Sequence, residues 1–222
     1  MEKRESGSTI YIFATLVTGT PFIITLFFAL GERLVGAEHY FPNVALFQSA
    51  VGIIGAVIPL LLHKGLSLRI SLPTLSLYSA FILGTVFFGE ILEFYYLFPL
   101  WDDVFHFTSA LLLSVFGLFI ADLGGGKRWQ RLALALGFAL SVGAVWEILE
   151  YASDGIFHTN MQKYSVLTDG ELIPLVGRAA LGDTMRDLIT DLSGASAFTL
   201  GAALTGHRRL SLTRVFYIRR AG

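Results

Sequence analysis

The stretch Asp103–Leu123, DVFHFTSALLLSVFGLFIADL, carries Asp103 and His106 at its start and then no ionisable side chain until Asp122. A membrane-crossing helix needs about 20 mainly apolar residues, and this stretch supplies them. Gly124, Gly125 and Gly126 close it, and Lys127 and Arg128 follow. Five further segments read the same way: Thr9–Gly31, with Pro21 as a kink point; Asn43–Leu62; Thr74–Tyr96, just after Pro73; Trp129–Asp154; and Asp183–Gly206. The expected fold class is all-α, a polytopic membrane helical bundle of about six transmembrane helices. Residues 1–222 are expected to form a single transmembrane domain, with no room for a separate soluble one.

Composition supports lipid as the solvent. Of 222 residues, 54% are hydrophobic and 15% charged, against roughly 45–50% and about 25% in soluble domains. A net charge of −1 leaves no basic face for nucleic acid. The absence of cysteine excludes disulfides, thiol catalysis and thiolate metal sites. Met1-Glu-Lys-Arg4 precedes an apolar run reaching about Leu30. A secretory h-region is only about 7–15 residues long, so this run is expected to remain as the first helix.

Cationic residues orient the helices. Lys3 and Arg4 precede the first; Lys64 and Arg69 join the second to the third; Lys127, Arg128 and Arg131 lie at the fourth-to-fifth turn; Arg208, Arg209, Arg214, Arg219 and Arg220 follow the sixth. The alternate connections hold Arg33, none, and then Lys163 with Arg178. Both termini are therefore expected to be cytoplasmic. The basic tail, interleaved with Leu210, Val215, Phe216, Tyr217 and Ile218, suits anionic membrane lipids. The connection Gly155–Gly182 exceeds the usual loop length of about 12–15 residues. It reads either as a tether or as a lid whose Lys163 and Arg178 meet an anionic ligand.

The acids fall at one level. Glu90 and Glu93 lie near the end of the third helix, Asp102, Asp103 and His106 open the fourth, Glu147 and Glu150 lie near the end of the fifth with Asp154, and Asp183, Asp187 and Asp191 open the sixth. The expected topology puts all of these toward the outer face. Spacings of three and four residues put each set on one helix face. At 1.5 Å per residue, Asp191 lies about 12 Å deeper than Asp183, and Glu90 and Glu147 about 10 Å below their helix ends. Carboxylates at that depth cannot snorkel and are expected to face the bundle interior. Two like charges about 4 Å apart repel by about 4 kcal/mol at an effective dielectric of 20, so the cluster needs protons, basic partners or bound cations. Its bases are few: Arg186, His106 and Arg178.

Glu90-Ile-Leu-Glu93 echoes Glu147-Ile-Leu-Glu150, which allows a parallel repeat of helices three–four and five–six. Asp102 and Asp183 also suit helix N-caps. Trp101, Trp146, Tyr95, Tyr96 and Tyr151 suit an interfacial belt. Gly194, Ala195, Ser196, Gly201, Ala202 and Ala203 suit close helix packing. Gly124-Gly125-Gly126-Lys127 lacks the spacing of a phosphate loop.

Trp101-Asp-Asp-Val-Phe-His106-Phe, Glu147-Ile-Leu-Glu150-Tyr and Asp183-Thr-Met-Arg-Asp187-Leu-Ile-Thr-Asp191-Leu-Ser-Gly194-Ala resemble the YjdF-like family of bacterial inner-membrane proteins over helices three to six. The resemblance implies a cell (inner) membrane location and no settled activity. More distantly, the order of histidine, glutamate, and aspartate with a following glycine is similar to VanZ-like proteins. Those carry an asparagine near the position of Asp191 and a lysine before the histidine. This likeness implies a site of similar placement and no substrate.

Carboxylates with one histidine suit Mg, Mn or Zn. Glu90, Glu93, Asp102, Asp103, His106, Glu147, Glu150, Asp183, Asp187 and Asp191 are the candidate ligands of a divalent metal ion. The leading expectation is a metal-dependent enzyme acting on a lipid or lipid-linked phosphate. A cation or proton-coupled transporter is the alternative, although beyond the cluster only Asp122, Ser114 and Ser141 would continue a pathway. A non-catalytic accessory protein is the third reading.

Overall fold

The third helix is where the fold departs most from the hydropathy pattern. In the computed structural model, which describes residues 2–34, 40–66, 68–168, 171–205 and 216–218, α3 spans Leu72–Ile82 and continues as a π-helix only over Leu83–Ile91. It starts where Ser71 accepts a hydrogen bond from the Thr74 amide at 3.4 Å, with Pro73 in the first turn. Its end comes earlier than Tyr96 because Glu93 adopts left-handed φ (59°) and the aromatic run after it folds back. Tyr95 covers Gly89 so closely that a Cβ there would strike its ring. Phe94 packs on Phe88 and Trp101, and Trp101 Nε1 donates to the Gly84 carbonyl at 3.1 Å. Phe94–Leu97 forms a separate short helix, α4.

The other long helices are α1 (Glu2–Leu34), α2 (Tyr40–Leu66), α5 (Trp101–Gly124), α6 (Arg128–Phe157) and α7 (Gly182–Thr205). Among the described residues, six helical segments are long and apolar enough to cross a membrane: 8–32, 45–66, 72–91, 101–124, 128–157 and 177–205. The all-α, six-span expectation therefore holds. Hydropathy did not signal the short strands that the described residues also form: β1 (Leu68–Ile70), β2 (Ser165–Thr168), β3 (Glu171–Pro174) and β4 (Phe216–Ile218). Arg208, Arg209, Leu210, Arg214, Val215, Arg219 and Arg220 lie outside the described residues, as do the side chains of Lys3, Arg4 and Arg33.

The chain divides into two compact units, residues 1–101 with 211–222, and residues 102–210. In the first, Phe22 is fully buried against Val86 and Ile91, with Val51, Ile53 and Phe87 around them. Gly52 admits the Phe22 ring, which a Cβ would overlap. Thr15 donates to the Ala56 carbonyl at 3.1 Å and Tyr78 to that of Gly55 at 2.8 Å. Tyr11 stacks on His63 with ring centroids 4.2 Å apart, and its hydroxyl accepts from the Ile70 amide at 2.6 Å. β1 and β4 pair antiparallel, with Arg69 opposite Tyr217.

The second unit is built on small residues. Ala110, Ala139 and Ala195 form its buried centre, with Leu113, Leu136 and Leu140 against them. Without bulky side chains the helices approach closely, as in membrane packing generally. A Cβ on Gly117 would press on the Ala135 backbone, and one on Gly194 would strike the Phe107 carbonyl. Gly125 and Gly126 (φ 72° and 108°) make the α5–α6 turn, and Gln130 Oε1 accepts from the Lys127 amide at 2.9 Å. This run is a turn, as its spacing indicated. Arg131 pairs with Asp122 at 2.8 Å. Arg128 donates to the carbonyls of Ala202 at 3.0 Å and Ala203, near the end of α7, where a cation is favourable.

The long connection folds on its own side chains. Buried Asp154 accepts from the Thr159 hydroxyl (2.6 Å), the Met161 amide (2.7 Å) and the Gln162 amide (3.0 Å). Buried Asn160 closes on Ser165 in both directions, at 2.8 and 3.0 Å. β2 and β3 then pair antiparallel, with Val166 opposite Ile173. Asp154→Ala would leave two buried donors, the Thr159 hydroxyl and the Met161 amide, without this acceptor, at about 1–3 kcal/mol each, and would free the half-buried Gln162 amide. It is expected to speed amide exchange at Met161 and Gln162 and to expose residues 155–168 to protease, while amides within α5 keep their protection.

Candidate metal centre

Three elements of the second unit converge on one histidine. α5 carries Asp102 and His106 one turn apart, α7 carries Asp183, Asp187 and Asp191 on successive turns, and the connection before α7 delivers Lys163. The His106 Nδ1 lies 3.2 Å from Asp191 Oδ1. Its Nε2 lies 3.5 Å from Asp102 Oδ1 and 3.9 Å from Asp187 Oδ1. Asp102, His106 and Asp187 each offer one ligand atom, and these atoms all lie within 4.8 Å of one another. Asp187 and Asp191 are each only 2% exposed. Asp191 fits because α6 offers Gly143 at its level, where a Cβ would run into the Asp191 carboxylate.

The hydrogen bond to Asp191 decides what His106 presents. In the neutral ring that donates its Nδ1 hydrogen to that carboxylate, the Nε2 lone pair faces the oxygens of Asp102 and Asp187; in the imidazolium, Nε2 carries a hydrogen toward them. Three electron-rich atoms facing one another need a cation or a proton between them. Buried oxygens without a hydrogen bond, Asp187 Oδ1 and Asp191 Oδ2, add to the demand, and buried Glu147 stands beside the Thr184 hydroxyl. Two carboxylates and an imidazole whose far nitrogen is held by a third carboxylate match the donor set and outer shell of protein metal sites.

Lys163 supplies the local cation. Its ammonium bonds to Asp102 and lies 3.4 Å from both oxygens of Asp183. Burial works to lower its pKa, but the carboxylates of Asp102 and Asp183 outweigh that and hold it above the ordinary lysine value. A raised folded-state pKa keeps the ion pair intact throughout the neutral range, to be lost only at strongly alkaline pH. Of the two readings of the long connection, tether or lid, the lid aimed Lys163 at an external anionic ligand; the structure turns it onto Asp102 and Asp183. The surplus of acids was the available signal, but the chain reversal that brings Lys163 home is long-range. Arg178 is exposed.

The other candidates have surroundings of their own. Asp103 pairs with Arg186. Glu150 accepts from Trp146 Nε1 at 2.8 Å, so that tryptophan serves a buried carboxylate. Asp102 and Asp183 sit inside the first turns of their helices, where they meet Lys163, and not at the capping positions. Glu90 and Glu93 belong to the first unit and do not share a helix face. Glu90 is half-buried in the last π-turn, and Glu93 follows its end, exposed, with left-handed backbone. Since that helix stops at Ile91, Glu90 also lies at its end and not about 10 Å inside it.

Six apolar spans define a polytopic integral membrane protein, and it carries a largely buried carboxylate–histidine cluster. The chain belongs to the family described as predicted membrane protein (DUF2238), which it matches over residues 19–208; this is also the YjdF family. An uncharacterized protein of Thermotoga maritima is 33% identical over 112 residues, covering 48% of this chain and 49% of that one. The chain thus spans about half the length of this curated relative. No solved structure matches.

Proposed function

We propose that this protein binds a divalent cation through Asp102, His106 and Asp187, with Asp191 fixing the His106 ring, and that the ion acts on an anionic lipid or lipid-linked phosphate. The observation that carries the reading is the Nε2 of His106 set between two carboxylates, 3.5 and 3.9 Å away, while Nδ1 is held by Asp191. Four-coordinate sites with bond lengths near 2.0–2.2 Å bring ligand atoms about 3.4 Å apart, so small side-chain shifts suffice. One imidazole with carboxylates suits Zn or Mn, and Mg less well. Three protein donors leave a coordination position open, as catalytic sites do. A bound ion would polarise a phosphoryl oxygen or activate water there.

Asp102 and Asp183 stand in the first turns of their helices, which favours a ligand entering from the membrane boundary. The lysine and arginine distribution favours the outer side of the inner membrane and cytoplasmic termini. The pairing of β4 with β1 is consistent with that distribution, since both basic connections were assigned to one side. A transport pathway is less favoured: the Ser114 and Ser141 hydroxyls close on their own helix, at 2.9 Å to Ala110 and 2.7 Å to Gly137. The VanZ-like resemblance bears on placement alone.

Calorimetric titration of chelator-treated protein with Zn²⁺ and with Mn²⁺ tests the reading. Saturable binding is expected in wild type, lost in His106→Ala and kept in Asp122→Asn. Absence of binding, or equal binding in His106→Ala, would leave His106 as a protonated partner of the aspartates and would favour an accessory or proton-carrying role.

A further inference from the structure

Asp102 serves two cations. One of its oxygens faces His106 Nε2 at 3.5 Å, as part of the trio whose ligand atoms converge. The other receives the Lys163 ammonium, which also reaches Asp183 at 3.4 Å. Lys163 is not placed there by an unconstrained coil. Its backbone holds φ 44°, a left-handed conformation that an ordinary side chain adopts at a cost. Its amide bonds to the Asn160 carbonyl at 3.1 Å, and Asp154 grips the two preceding amides. The buried anchor thus ends immediately before the lysine and presents it to the acidic cluster. Lys163 keeps about a quarter of its side chain exposed, so it can leave without crossing a packed core.

We infer that Lys163 is a tethered counter-cation that competes with the divalent ion for Asp102, so that ion binding releases Lys163 and loosens the segment carrying it. The inference rests on the metal reading above. Asp102, Asp183, Asp187, Asp191 and Glu147 stand near two basic groups, Lys163 and His106. Without the ion, Lys163 offsets part of that charge. With the ion, a dication and an ammonium on the two oxygens of one carboxylate repel each other. Linkage makes the effect reciprocal: whatever factor Lys163 subtracts from ion affinity, the ion subtracts from the hold on Lys163. The segment 158–164 is then the part of the site that opens when the ion arrives, turning an amine toward any anion approaching the metal.

The test uses the full chain in detergent and two readouts. Zn²⁺ affinity of Lys163→Met is expected to exceed wild type by about 5- to 150-fold, the usual range of such couplings, with Lys163→Arg near wild type. Acylation of the Lys163 amine by an N-hydroxysuccinimide ester, mapped by peptide mass spectrometry, is expected to rise with Zn²⁺ in wild type and to stay constant in His106→Ala. Labelling needs no change at Lys163, so it decides the matter even where Lys163→Met does not fold. Wild type binding Zn²⁺ as tightly as Lys163→Met, with unchanged labelling, would overturn the competition and leave the metal site standing. If neither protein binds Zn²⁺, the metal reading fails and this inference with it. Binding by Lys163→Met alone would support it.

Discussion

Asp187→Ala is expected to lower divalent-ion affinity by more than about a hundredfold and yet leave the metal-free protein no less stable than wild type. The first half follows from position. Asp187 is a donor of the convergent trio, and removing even an outer-shell partner of a metal ligand costs about 10–100-fold in affinity. Asp191→Ala, which takes away the acceptor of the His106 Nδ1 hydrogen, should fall within that smaller range. The second half follows from charge. Asp187 is buried beside Asp102 and Asp183, and its Oδ1 has no hydrogen bond. Taking away a carboxylate that crowds two others relieves the like-charge repulsion among them. A purely structural aspartate would behave the opposite way, with thermal unfolding of the metal-free variant coming earlier. Thermal unfolding with and without Zn²⁺ therefore separates the two roles: the ion should raise the wild-type transition and leave that of Asp187→Ala unmoved.

Gly194→Val should be the most damaging single change to the second unit. At Gly194 the first obstacle to a side chain is the backbone of α5, the carbonyl, carbonyl carbon and Cα of Phe107, and a helix backbone cannot swing aside as a side-chain tip can. Overpacking of this kind costs about 1–3 kcal/mol or more, and valine adds bulk beyond the first carbon. Because α7 carries Asp187 and Asp191 and α5 carries His106, pushing the two helices apart should also weaken ion binding. Gly201→Ala provides the contrast. A Cβ there meets nothing within 4 Å, and alanine favours the helix by up to about 1 kcal/mol. Denaturant unfolding in detergent should rank Gly201→Ala at or above wild type and Gly194→Val well below.

The spans were legible because one variable, sustained apolarity, determines them; five of the six came out within a few residues at each end, apart from the N-terminal extension of α1. The third failed at its end because the cause was aromatic packing back onto Gly89, which no helical period records. The acids of α7 were legible for a related reason: regular helix geometry puts Asp183, Asp187 and Asp191 on one face, and those three reach Lys163, the cluster with Asp102 and His106, and the His106 Nδ1 respectively. The same rule failed for Glu90 and Glu93, where the backbone leaves α geometry between them. Lys163 on Asp102, and Gly143 making room for Asp191, depend on contacts between elements far apart in sequence, and spacing carries no trace of them.

Elemental analysis of the detergent-purified wild-type protein, beside Asp187→Ala, decides whether the cluster holds an ion. Close to one equivalent of a divalent metal, with Zn or Mn foremost, is expected in wild type and none in the variant. No metal in either protein, with saturating Zn²⁺ failing to bind afterwards, would contradict the metal reading and leave His106 as a proton-bearing partner of its aspartates.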